Sequence, residues 1–180
     1  VSYGQIVILN GAPRSGKSSI VAALQESGVW MNLGVDVSRA TAPPGLQPGI
    51  GLRPGEETHP AAPYVPLLYA ALYESVAAHS RLGLNVAVDV GHYDAVILAD
   101  AMKRLDGLPA LFVGVRCPLD VVLERRAAAE PGRYATDAGP ARRWEAAVHG
   151  GKTYDLELDT SVLSPAECAA AIRAQLRDLR

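Results

Sequence analysis

The stretch that decides the fold runs Gln5-Ile6-Val7-Ile8-Leu9-Asn10-Gly11-Ala12-Pro13-Arg14-Ser15-Gly16-Lys17-Ser18-Ser19-Ile20-Val21-Ala22-Ala23-Leu24. Its first six residues are mostly apolar and β-branched, which reads as a strand buried on both faces. Its last seven place Ile20, Val21 and Leu24 on one helical face. Between them lies G-x-x-x-x-G-K-[ST], from Gly11 to Ser18, a pattern that gains meaning when it joins a strand to a helix. A helix N-terminus offers unpaired N–H groups and a positive dipole end to an anion. Gly11 and Gly16 let the backbone wrap that anion. The candidate nucleotide-binding set is therefore Gly11, Ala12, Pro13, Arg14, Ser15, Gly16, Lys17, Ser18 and Ser19. Lys17 is expected to reach the β- and γ-phosphates, and the Ser18 hydroxyl to ligate Mg²⁺.

Composition narrows the classes. With 180 residues, 49% of them hydrophobic, the chain reads as one globular domain with a sizeable core. Its formal net charge of −2 gives no basic surface for nucleic acid. No secretory leader and no apolar run of membrane-spanning length is read, so a cytoplasmic protein is expected. Cys117 and Cys168 lack metal-site or CxxC spacing and read as a buried thiol at a strand end and a small residue on the last helix.

Working outward, strand-like and helical runs alternate. Trp30 to Asp36 reads as a second strand ending in a carboxylate. From Val37 to Pro66 the chain is so rich in Pro and Gly that no regular structure is expected, and a substrate-covering loop is the favoured reading. Tyr64 to Leu82 repeats Leu68, Leu72 and Val76 at helical spacing. Asn85 to Asp89 and Ala110 to Arg116 read as strands, with a helix over Ala95 to Leu105 between them. Leu119 to Ala129 and Pro140 to Val148 read as helices broken at Gly132 and Gly139, giving a small helical lid over about 125–150. Tyr154 to Asp159 alternates as a less buried strand. Ser164-Pro165-Ala166-Glu167 is a helix start, with Ser as N-cap, Pro at N1 and Glu at N3, and that helix reads on to about Leu179. This order implies an α/β fold: five parallel strands flanked by helices. Ligands bind beyond the carboxyl ends of such strands, so Asn10, Asp36, Asp89 and Arg116 should line one rim.

Phosphoryl transfer needs positioning, charge neutralisation and an oriented nucleophile. Asp89 closes an apolar strand, where it can hold Mg²⁺ and accept a hydrogen bond from Ser18. Asp36 can face an acceptor hydroxyl and take its proton. The two roles can also be exchanged. Arg125, Arg126 and Arg133 fall around the lid break, where one of them can stabilise the transferring phosphate; Arg126 is assigned to the nucleotide. His92 and Tyr93 follow Asp89 and either face a substrate, together with Asp36 and Asp89, or simply pack. Mg²⁺ is the only metal implied.

The blocks Ile8-Leu9-Asn10-Gly11, Gly16-Lys17-Ser18, Gly34-Val35-Asp36, Val88-Asp89, Val113-Gly114-Val115-Arg116-Cys117, Val148-His149, Tyr154-Asp155 and Asp159-Thr160-Ser161 resemble the chloramphenicol phosphotransferase family of P-loop kinases over nearly the whole chain. The resemblance implies a P-loop kinase-like fold, ATP as donor and a primary hydroxyl of the antibiotic as acceptor. It implies Asp36 as general base, and Arg133 as the lid arginine that joins Lys17 in catalysis. The chain departs from the family at Pro13-Arg14 and in the proline-rich segment from Ser38 to Pro63. The implied partner is a small hydroxylated molecule, chloramphenicol or a related natural product; self-association into a homo-oligomer stays open. A metabolic kinase of the shikimate or gluconate type shares the motifs. The segment after Asp36 offers only Arg39 and Arg53 for an anionic acceptor, which favours a less charged one. A nucleotide-binding module without acceptor usually carries an Asn-Lys-x-Asp-like block, which this chain lacks.

Overall fold

The computed structural model describes residues 2–44, 54–55, 58–129 and 138–178. Arg133 and part of the proline-rich segment, Arg53 included, lie outside the described residues. The elements run β1 (Ile6–Asn10), α1 (Lys17–Glu26), β2 (Trp30–Asn32), α2 (Val35–Ala40), α3 (Val65–Arg81), β3 (Asn85–Val90), α4 (Ala95–Arg104), β4 (Ala110–Arg116), α5 (Leu119–Ala129), α6 (Gly139–His149), β5 (Leu156–Asp159) and α7 (Pro165–Asp178).

Five parallel strands form one sheet in the order β2-β3-β1-β4-β5. Side chains alternate across a strand, so β1 feeds two cores. Ile6 and Ile8 join Val86, Val88, Leu72, Tyr73 and Val76 beneath α3 and α4. Val7 and Leu9 join Ile20, Leu24, Val113, Val115 and Ile172 beneath α1 and α7. Continuous apolar strands follow from burial on both faces. In register, Asn10 pairs with Val90 on one side and Gly114 on the other, so the loop after β1 rises at the centre of the carboxyl edge.

Three expectations are corrected. β2 stops at Asn32 instead of running to Asp36. The Asn32 side-chain oxygen accepts the Gly34 N–H at 3.1 Å, turning the chain, and the Gly34 carbonyl then accepts from Val37 and Ser38. Asp36 therefore sits in the first turn of α2, not at a strand end. That turn brings backbone against Asp89: a Cβ on Gly34 would lie 3.0 Å from the Asp89 Cβ. The segment from Val37 to Pro66 is not wholly irregular, since α2 extends to Ala40 and a 3₁₀ turn covers Ala62–Tyr64. β5 begins at Leu156, because Tyr154 turns inward over Gly114 and Asp155 bonds the Phe112 N–H at 2.7 Å. Both cysteines are free and buried. Among the described residues, no helix is long and apolar enough to cross a membrane.

Candidate active site

α1 begins at Lys17 with Gly16 as its N-cap, and no side chain caps it. The first N–H groups of a helix have no intrahelical acceptor, so an uncapped start is prepared for an anion. Arg14 at φ 69° and Gly16 at φ 97° take the left-handed conformation in the loop that precedes the helix, the kind of turn from which backbone anion sites are built.

Lys17 crosses this loop. Its ammonium donates to the carbonyls of Gly11 at 2.9 Å and Ala12 at 2.8 Å and lies 3.6 Å from Asp89 Oδ1. Burial lowers the Lys17 pKa, and the negative charges of Asp89 and Asp36 oppose that shift. Ser18 Oγ donates to Asp89 Oδ2 at 2.6 Å. Strand β3 thus delivers a carboxylate to the helix start from 71 residues away. Asp36 is exposed, near enough for its charge to act on Lys17. Lys17, Ser18, Asp36 and Asp89 are brought together.

Beside the loop opens a cleft of about 390 Å³ lined by Arg14, Gly16 to Ile20, Arg125, Thr160, Leu163 and Pro165. Arg125 builds one wall: its guanidinium donates to Thr160 Oγ1 at 3.0 Å, Thr160 O at 2.7 Å and Cys117 Sγ at 3.4 Å. Thr160 Oγ1 in turn donates to Ser15 O at 2.6 Å. Arg126 lies half-buried beside it on α5, so the arginine in the cleft wall is Arg125. Leu163 and Pro165 were missed by sequence reasoning; the capping box at Ser164 gave a helix start but no cleft. Ser19 lines the cleft, and Pro13 is exposed at the loop tip.

The opposite side is aromatic. His92 is 2% exposed, its Nε2 bonded to Tyr73 Oη at 2.6 Å and its ring tilted 5.0 Å from Tyr69. Burial holds its pKa at about 4, so the ring is neutral. Tyr93 stands edge-on to Trp144 of α6 at 5.5 Å. Val65, Tyr69, Gly91, His92, Tyr93 and Ile97 surround a small hollow there. Trp144 and Val148 of α6 pack on Ala12 of the loop after β1. The expected rim is partly dismantled: Asn10 is fully buried and Arg116 is turned to Glu157 at 2.7 Å.

The sequence matches the family model described as chloramphenicol phosphotransferase-like protein over residues 4–177. The chain belongs to the chloramphenicol phosphotransferase-like family. It is 28% identical to proteins from two strains of Mycobacterium tuberculosis named provisionally as O-phosphotransferases, over 92% of this chain and 79% of theirs. The fold is similar to that of the M. tuberculosis APS kinase CysC solved with AMPPNP and APS, with a TM-score of 0.74, 21% identity and coverage of 98% of this chain and 99% of that one. It is also similar to a Sinorhizobium meliloti gluconokinase, with a TM-score of 0.62, 18% identity and coverage of 99% and 95%. This member of the chloramphenicol phosphotransferase-like family is thus a phosphotransferase on the P-loop kinase fold.

Proposed function

We propose that the protein transfers the γ-phosphoryl group of ATP to a hydroxyl of a small molecule, chloramphenicol or a related natural product, and that it works in the cytoplasm, where ATP is supplied. The observation that carries this reading is the contact of Ser18 Oγ with Asp89 at 2.6 Å beside the Lys17 ammonium, at an uncapped helix start. Ser18 and Asp89 offer hard oxygen ligands suited to Mg²⁺, which binds through one or two carboxylates and the substrate phosphates. Bound there, Mg²⁺ supplies charge neutralisation to the β- and γ-phosphate oxygens.

In this reading the phosphates lie against the loop from Gly11 to Ser19, on the N–H groups at the start of α1, and the nucleoside extends along the cleft walled by Arg125, Thr160 and Leu163. Lys17 leaves the Gly11 and Ala12 carbonyls for the β- and γ-phosphate oxygens. The acceptor hydroxyl oxygen forms a bond to the γ-phosphorus as the bond to the β–γ bridging oxygen breaks. ADP departs and the hydroxyl proton passes to the Asp36 carboxylate. Its exposed position in the first turn of α2, near enough for its charge to act on Lys17, supports Asp36 as that base. Arg133 remains the candidate for charge stabilisation from the lid. Tyr93, with His92 behind it, forms the wall an acceptor ring would meet.

Asp36→Asn tests the assignment. Calorimetry should find MgATP affinity within about threefold of wild type, while transfer falls by about 10²–10⁴-fold, the range for a lost general base. Unchanged transfer removes Asp36 from the mechanism and leaves Asp89 as the candidate.

A further inference from the structure

We propose that Asn10 is a positioning residue that pins the foot of α6 and the β3–α4 connection to the root of the phosphate loop. Asn10 is fully buried at the end of β1, one residue before the loop begins. Its amide makes three bonds to three separate segments. Nδ2 donates to Val148 O of α6 at 3.0 Å and to Tyr154 Oη at 2.9 Å. Oδ1 accepts the His92 backbone N–H at 2.6 Å. The orientation of the amide is determined by these partners, because a backbone N–H only donates and a carbonyl only accepts.

Each bond meets a need of its partner. Val148 is the penultimate residue of α6, so its carbonyl is among those left without an intrahelical donor. Asn10 supplies one. Tyr154 reaches the same point because Gly114 has no Cβ: one there would lie 2.6 Å from the Tyr154 ring. Its hydroxyl also contacts His149 Nδ1 at 2.8 Å, the last residue of α6. His92 continues the chain of bonds to Tyr73 on α3. Asn10, directly and through Tyr154, thus links the foot of the helix that lays Trp144 on Ala12 to the connection that carries His92 and Tyr93. On the phosphotransferase reading, these are the two walls whose distance from the phosphate loop sets how an acceptor meets the nucleotide. An apolar residue in place of Asn10 would fill β1 equally well but could not hold them.

The test isolates the α6 branch. Trp30 and Trp144 are the two tryptophans of the chain, so Trp30→Phe leaves Trp144 as the reporter. In that parent, Trp144 is 7% exposed and acrylamide should quench it poorly. Asn10→Asp keeps the acceptor for the His92 N–H but loses the donors to Val148 and Tyr154. At pH 8 the carboxylate faces the Val148 carbonyl, and the quenching constant should rise about threefold as the foot of α6 loosens. At pH 5.5 the carboxyl, whose pKa burial raises, is protonated and donates one O–H to Val148 O. Quenching should then return to within about 1.5-fold of the parent. His92 and His149 have pKa values of about 4 and those of Tyr154 and Tyr73 are raised; burial raises the pKa of Glu145 on α6 and lowers that of Lys152 at its foot, so each quenching constant is compared with the parent at the same pH.

Asn10→Ala, which lacks any titratable group, should be quenched more than the parent at both pH values. A loss of stability without a positioning role would lower the unfolding midpoint and leave quenching of the folded protein at the parent value. Parent-like quenching of Asn10→Asp at pH 8, an equal rise at both pH values, or parent-like Asn10→Ala overturns the proposal. Should Asn10→Asp not fold at pH 8, Asn10→Ala decides alone. The measurement uses neither nucleotide nor acceptor, so it stands if the ATP-dependent transfer is disproved. With transfer established, Asn10→Asp at pH 8 should lower kcat at least tenfold while nucleotide affinity stays within about threefold.

Discussion

Lys17 is held in readiness by two carbonyls of its own loop, at 2.9 and 2.8 Å, beside a carboxylate 3.6 Å away. Lys17→Ala removes the cation buried under the loop and should lower turnover by at least about 10²–10³-fold, the range for losing a donor to transition-state charge. Steady-state kinetics on the purified variant checks this. Gly114 makes a different prediction. A methyl group there meets the Tyr154 ring at 2.6 Å, so Gly114→Ala should destabilise the fold by about 1–3 kcal/mol in urea unfolding, the usual overpacking range. The two residues also mark what the sequence displays. Lys17 stands in a motif whose spacing carries its chemistry. Asn10, Tyr154 and His149 are as closely coupled, yet their partners lie 82 to 144 residues apart for Asn10. Only the parallel register of β1, β3 and β4 brings them together, and residue types alone do not state that register.

At the level of elements, local signals were sound where they were local. The Ser164–Glu167 capping box forms as read: Glu167 accepts from Ser164 N at 2.8 Å and Oγ at 2.6 Å, and Ser164 Oγ accepts the Glu167 N–H at 3.3 Å. Ser164→Ala should cost about 1 kcal/mol, the usual worth of an N-cap, measured as a shift in the urea midpoint at unchanged slope. The strands β1, β3 and β4 were equally legible, because burial on both faces leaves unbroken apolar runs. β2 was not. Leu33-Gly34-Val35 continues the apolar pattern, but the Asn32 side chain captures the Gly34 N–H and turns the chain into α2. Two competing local patterns were present, and packing of Gly34 on Asp89 selected the helix. The arginine of the cleft wall shows the same limit. Helical spacing places Arg125 and Arg126 on neighbouring faces of α5, and the position of Thr160 decides which one enters the cleft.

Across the whole molecule, the sheet has a buried polar seam at its carboxyl edge, and that seam titrates with folding. His92 is neutral in the fold, with a pKa of about 4 against an ordinary 6.5, chiefly through burial. The unfolded chain therefore binds more protons than the native one between those values, and stability must fall as pH drops from about 6.5 to about 4. For His92 alone the loss is on the order of 3 kcal/mol. His149, shifted to about 4 in the same direction, adds to it. Urea midpoints measured from pH 7 to pH 4 should decline, and His92→Gln, whose amide can replace Nε2 toward Tyr73, should flatten the slope. A midpoint that holds constant over this range would show that His92 takes up a proton without loss of structure.

The most direct measurement of the central claim is transfer itself. Wild type and Lys17→Ala are incubated with MgATP and a panel of hydroxylated natural products that includes chloramphenicol, and the products are read by mass spectrometry. Wild type should add one phosphoryl group to a hydroxylated acceptor and form ADP in equal amount, with little or no product from the variant. An acceptor other than chloramphenicol would replace the substrate and keep the chemistry. Equal product from wild type and Lys17→Ala, or tight MgATP binding with no acceptor phosphorylated across the panel, would contradict it.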